Sequence, residues 1–191
     1  MNNHLISLEH MSVTDFFAGI HKCDHPAALT NFDGARYMGA WYEQQHIKGQ
    51  FFQADDTVCT TAEYSNLQPT GHFVVNNTYQ DADFGQRKGI IGDGYCPDAS
   101  GQCFVTFYVT PSHTNYQVVD TDYDSYSVVY ACGFTKSFLW LLTREAVVSD
   151  ELYNKMVGIA KANLPTFDFS TLNTRDYQGP KCTYNANYFL Q

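Results

Sequence analysis

The stretch Asn31-Phe32-Asp33-Gly34-Ala35-Arg36-Tyr37-Met38-Gly39-Ala40-Trp41-Tyr42-Glu43 constrains the fold of this chain more than any other. An acidic turn runs into Gly39-Ala40-Trp41 and an aromatic strand start. A ring this large is buried only where further apolar elements pack over it.

The strands follow. Runs with period-two alternation occupy about 40–48, 57–66, 71–79, 86–95, 102–110, 115–122, 126–133 and 137–144. Turn chemistry separates them: Pro69-Thr70-Gly71, Asp81-Ala82-Asp83-Phe84-Gly85, Pro97 to Gly101, Pro111-Ser112-His113 and the Asp124-Ser125 corner. Links this short make neighbours in sequence neighbours in space, which predicts an up-and-down antiparallel sheet. Eight strands are about the number at which a closed barrel holds one small ligand. Aromatic residues at 16% of the chain, with recurrent Val and Thr, support strands over helices.

Beyond the strands, Ser149 caps a predicted helix with Asp150 and Glu151 in its first turn. Leu152, Met156 and Ile159 share one face, and Pro165 lies past its end. The expected fold class is therefore all-β, an eight-stranded antiparallel up-and-down β-barrel with one C-terminal α-helix packed outside. Residues 1–25 read as an N-terminal arm tied down at Cys23, and residues 26–191 as a single domain whose tail extends along the barrel wall, anchored by Cys182.

A net charge of −9 offers no basic face for phosphates, which excludes nucleic acid as a partner. The longest stretch free of charged residues, Gly101 to Val119, carries Gln, Ser, His, Asn and Pro and is no membrane span. Residues 1–20 mix polar and apolar side chains, with Glu9, His10 and Asp15, and do not read as an intact secretory signal. Six cysteines without a C-x-x-C spacing favour a disulfide framework, hence a secreted, extracellular chain, and they allow fifteen pairings. Cys96 and Cys103 flank a turn-rich hexapeptide, where a hairpin staple is geometrically easy. The sequon Asn76-Asn77-Thr78 marks Asn76 as a glycosylation candidate.

No metal site is expected. His21, Cys23 and His25 alternate on a surface arm without marked partner ligands. Asp120-Thr121-Asp122-Tyr123-Asp124 imitates a calcium loop, but Ser125 and Ala131 stand at its glycine and glutamate positions.

Three separated motifs resemble the structural kernel of the lipocalins: Gly39-Ala40-Trp41, Thr121-Asp122-Tyr123 at the corner between the sixth and seventh strands, and Arg144 closing the eighth. The run Tyr123 to Cys132 and the helix after Arg144 resemble the apolipoprotein D, insect bilin-binding and crustacyanin branch. The resemblance implies that Trp41 plugs the closed end of the barrel under the Arg144 guanidinium. It also implies long-range bridges Cys23 to Cys132 and Cys59 to Cys182, leaving Cys96 with Cys103.

If Trp41 and Arg144 point inward, the two-residue period places Glu43, Gln45, Phe138, Trp140 and Leu142 inside as well. The resemblance supplies the phase elsewhere: Tyr64; Phe73, Val75, Asn77 and Tyr79; Phe104, Thr106 and Tyr108; Tyr116 and Val118. Asn76 then faces outward. Near Trp41 such residues fill the closed end, whereas Trp140, Tyr116, Tyr108 and Tyr64 are expected nearer the mouth, as ligand contacts. Aromatic faces with polar tips suit a bilin, carotenoid or retinoid, and a lipid also fits.

The chain reads as a carrier of a small hydrophobic ligand with no required cofactor. One alternative is a structural pigment-assembly subunit, a homo- or hetero-oligomer joined through its aromatic surface and a tail carrying Tyr184, Tyr188 and Phe189. A ligand isomerase is the other; that chemistry requires a free cavity thiolate, and catalytic templates such as Gly-x-Ser-x-Gly, His-Glu-x-x-His and glycine-rich phosphate loops are absent.

Overall fold

The structure, a computed structural model, describes residues 22–49, 55–133, 135–184 and 189–190. Most of the expected N-terminal arm, with His21, and Tyr188 of the tail lie outside the described residues. A four-residue helix α1 (Gly34–Tyr37) opens the domain, with the Asp33 side chain capping Arg36 N–H. Eight strands follow: β1 (Gly39–His46), β2 (Val58–Ser65), β3 (His72–Gln80), β4 (Lys88–Tyr95), β5 (Gln102–Thr106), β6 (Tyr116–Thr121), β7 (Tyr126–Cys132) and β8 (Ser137–Thr143). Then come helix α2 (Asp150–Asn163), a 3₁₀ turn at Phe169–Thr171 and a two-residue strand β9 (Phe189–Leu190).

Each of the eight strands pairs antiparallel with its sequence neighbours, and β1 also pairs with β8, which closes the barrel. Strand β9 adds in parallel to β4.

Period-two alternation divides the buried residues into two sets. Inside, Trp41, Tyr64, Phe73, Val75, Val118, Val129 and Leu142 pack with Phe32 and Tyr37 of the α1 region. Outside, Val119, Tyr126, Val128, Tyr130, Leu139 and Leu141 form a second core with Met156, Ala160 and Leu164, so α2 covers the outer wall of β6 to β8. The helix begins where expected, Ser149 Oγ accepting from Leu152 N–H.

The three bridges are Cys23–Cys132, Cys59–Cys182 and Cys96–Cys103. The first fastens the segment before α1 over the outer wall, where Asp24 N–H donates to Tyr130 Oη and the Asp24 carboxylate accepts from Thr166.

The C-terminal segment is part of the barrel wall. β1 and β2 pair only from Gly39↔Tyr64 to Tyr42↔Thr61. Beyond that point the chain after the 3₁₀ turn fills the gap. Lys48, Asn173 and Asp176 amides join it to β1 through Thr171 O, His46 O and Gln44 O, and Cys59 N–H bonds Tyr177 O on the β2 side. The Gln178 carboxamide nitrogen spans the gap, donating to Glu43 O and Thr60 O. Cys59, left-handed at φ +58°, carries the bridge that locks this wedge to β2.

Candidate functional site

The closed end is built around Trp41, fully buried, with Nε1–H donating to Tyr37 O at 3.0 Å. The Arg144 guanidinium lies 3.7 Å above the indole ring centre. Its nitrogens donate to Tyr123 O, Ala40 O and Arg36 O, each at 2.9 Å, so one side chain ties α1, β1 and the β6–β7 corner together. Gly39 is needed there: its φ is +94°, and a Cβ would lie 3.3 Å from Arg144 Nη1.

The corner is held by Asp122, whose Oδ1 accepts from the amides of Asp124, Ser125 and Tyr126, while Thr121 Oγ1 bonds Tyr126 O. Partial burial is the largest influence on this carboxyl and opposes its ionisation. The Ser125 hydroxyl and the three amides outweigh it and hold the pKa below the usual value. That carboxylate serves its own turn.

Above Trp41, three phenols form a chain. Tyr116 Oη meets Tyr64 Oη at 2.9 Å and Tyr37 Oη at 2.8 Å, and Tyr37 continues to Ser127 Oγ at 2.8 Å. Burial pushes Tyr37 up to about 12, against the lowering effect of its hydroxyl partners, and raises Tyr64 and Tyr116 further; all three stay neutral at ordinary pH. Tyr64 and Tyr116 therefore belong to the sealed floor rather than to the mouth. A cavity of about 200 Å³ beside them is lined by Phe32, Tyr37, Leu67, Phe73, Cys96 and Tyr116, smaller than the usual cavity for a drug-sized ligand.

The remaining expected positions divide. Phe73, Val75 and Val118 are buried in the interior cluster, and Trp140 packs against it. Phe138 stacks on Trp140, ring centres 5.9 Å apart and nearly parallel. Asn77 pairs with Ala62, which also packs on the interior cluster, so Asn77 shares that face; its Oδ1 is buried and has no hydrogen-bond partner. Asn76 is on the opposite face, opposite exposed Glu63 and Ile91.

Three further expectations fail. On β5 the phase is reversed: Cys103, Val105 and Phe107 turn to the interior, whereas Phe104 stacks on Tyr95 and Thr106 pairs with exposed Asp93. Cys103 must reach Cys96, and that fixes the phase of a strand with large side chains on both faces. Tyr108 lies beyond the end of β5 and is 77% exposed. Gln45 turns outward because the register slips between Glu43 and Gln45. Its amide bonds Asn173 O and accepts from Tyr153 of α2.

The same slip turns His46, opposite Trp140, to the interior beside Glu43, which lies opposite Leu142. Asp176 and Asn173 of the wedge complete a buried polar cluster that sequence reasoning missed. His46 Nδ1 is 2.6 Å from Glu43 Oε1 and 3.8 Å from Asp176 Oδ1, and Asn173 Nδ2 donates to Asp176 Oδ1 at 3.0 Å. No spacing signal joins residues about 130 positions apart.

The kernel geometry agrees with the comparisons. A family model described as a lipocalin-like domain matches residues 32–177. The chain belongs to the lipocalin family. This lipocalin is 32% identical over 134 residues to outer membrane lipoprotein Blc of Citrobacter freundii, covering 69% of the chain and 73% of the relative. It is 28% identical over 162 residues to apolipoprotein D of Mus musculus, covering 81% and 82%. Among solved structures, insecticyanin from the tobacco hornworm Manduca sexta matches with a TM-score of 0.69 at 21% identity, over 89% of this chain and 92% of that one. Lobster apocrustacyanin A1 matches with a TM-score of 0.63 at 21% identity, over 80% and 83%. At this identity the structural likeness speaks for the fold.

Proposed function

We propose that this lipocalin is a secreted carrier that holds one small hydrophobic ligand above the tyrosine floor. The ligand is a conjugated chromophore of the bilin, carotenoid or retinoid kind, or a lipid. The observation that carries the reading is the Asn77 Oδ1 atom, buried on the same interior face as Phe73 and Val75 without a partner. An apolar wall with a lone acceptor suits a ligand with a planar apolar body and a donor end, since burying an unmatched amide oxygen costs about 1–3 kcal/mol.

Burial rather than chemistry supplies the affinity, at about 25 cal/mol per Å² of apolar area. All six cysteines are bridged, which leaves the isomerase alternative without its thiolate. The bridges also favour an oxidising compartment, in which Asn76, half-buried on the outer face of β3, is a glycosylation candidate; no described helix is long and apolar enough to cross a membrane.

The test is a fluorescence titration with all-trans-retinol, alongside an absorption spectrum and extract mass spectrum of the protein from its natural source. Trp140→Ala should weaken binding about tenfold or more, whereas exposed Tyr108→Ala should leave it unchanged. Equal affinities for the Trp140 variant and the parent, with folding intact, would remove the pocket.

The assembly alternative rests on adjacent exposed Tyr108 and Val109 on the β5–β6 loop. Gel filtration decides it: a concentration-independent monomer with and without ligand excludes it.

A further inference from the structure

The interior wall carries a second group of functional atoms that hydrophobic carriage does not use. One ligand atom from each of Glu43, His46 and Asp176 lies within 4.8 Å of the other two, and all three residues are buried. The carboxylate of Asp176 is the telling member. Its side chain is only 2% exposed, Oδ1 takes the Asn173 bond, and Oδ2 has no hydrogen-bond partner. A buried carboxylate grouped with an imidazole and a second carboxylate has its natural complement in a cation.

We propose that Glu43, His46 and Asp176 bind a single divalent transition-metal ion of the zinc class. One imidazole nitrogen and two carboxylates form a mixed N/O donor set that zinc accepts at about 2.0–2.2 Å, with solvent completing a tetrahedron. Ligand atoms in such a tetrahedron stand about 3.3 Å apart. The observed separations bracket that value: 2.6 Å between His46 Nδ1 and Glu43 Oε1, and 3.8 Å between Nδ1 and Asp176 Oδ1. Insertion of the ion needs the two closest groups to part slightly.

The surroundings already orient the donors. Asn173 steers Asp176 through Nδ2 and holds the His46 amide through Oδ1, the outer support that metal ligands characteristically have. The Cys59–Cys182 bridge fixes the segment that delivers Asp176, and no cysteine competes for the ion. Once metal binding has displaced the protons, two carboxylates and a neutral imidazole carry a charge that a dication cancels.

The experiment is a titration of the disulfide-intact chain, stripped with EDTA, using zinc chloride in a calorimeter and cobalt chloride in a visible spectrometer. One equivalent of zinc should bind, and cobalt should give the intense ligand-field bands of tetrahedral coordination. Asp176→Asn, nearly isosteric, and His46→Gln should each weaken binding at least about tenfold. His72→Gln, which removes the exposed His72–Asp93 pair, should leave it unchanged. Absence of stoichiometric binding to the parent overturns the site, as does binding that survives Asp176→Asn or disappears in His72→Gln. If His46→Gln does not fold, the parent titration and the Asp176 variant decide the question.

Discussion

Replacing Arg144 with methionine tests how the closed end is held. The substitution keeps a long apolar stem over Trp41 but removes the charge 3.7 Å from the ring and three hydrogen bonds to Tyr123, Ala40 and Arg36 carbonyls. A cation–π contact of this kind contributes about 1 kcal/mol when partly exposed. Each carbonyl bond contributes about 1 kcal/mol, below the roughly 1.5–3 kcal/mol of a buried charged donor because the guanidinium is only partly buried and water can replace part of what is lost.

The expected loss is about 3–4 kcal/mol, a large share of the 5–15 kcal/mol that stabilises a typical domain. Urea unfolding should show it as a lower midpoint with an unchanged slope. Trp41 and Trp140 are the two tryptophans, so emission in the native baseline should change as Trp41 loses its cation. Arg144→Lys restores a cation but not the three-pronged geometry, and it should recover only a minor part. A methionine variant within about 0.5 kcal/mol of the parent, or a lysine variant equal to it, would refute the assignment of Arg144 as the tie between α1, β1 and the corner.

Two further outcomes follow from packing and charge. A Cβ on Gly94 would lie 2.2 Å from Phe73 Cζ, so Gly94→Ala should cost about 1–3 kcal/mol in thermal unfolding, and less in a Phe73→Leu background; additive losses would show that the ring does not lie across the glycine. Asp122 has a folded pKa below its ordinary value, so its contribution is present above about pH 4 and fades as pH falls through the folded pKa. The stability gap between parent and Asp122→Asn should therefore narrow in acid, and a gap constant from about pH 7 to about pH 2 would contradict the donor arrangement at the corner.

Local chemistry made much of this lipocalin legible before any coordinates. Strand order follows from short turns, because they leave a strand no partner but its neighbour. Ser149, Asp150 and Glu151 announce the start of α2 because the unpaired amides of a helix N-terminus need acceptors nearby in sequence. Gly39, Trp41 and Arg144 form a recognisable set because glycine permits the left-handed turn that Arg144 packs against.

Tertiary structure alone decided the rest. Period two is blind to a bulge, so the slip after Glu43 exchanged the faces of Gln45 and His46. Large side chains at Phe104, Val105, Thr106 and Phe107 left β5 without a marked inner face until the Cys96 bridge chose one. Nothing local links His46 to Asp176. They meet because β1 and β2 part above Tyr42, and unpaired backbone on both strands draws the C-terminal segment into the gap. The alternation of residues fixed which strands could form a barrel, but the polar cluster in its wall exists only once residues 43–46 and 173–176 are brought to the same place.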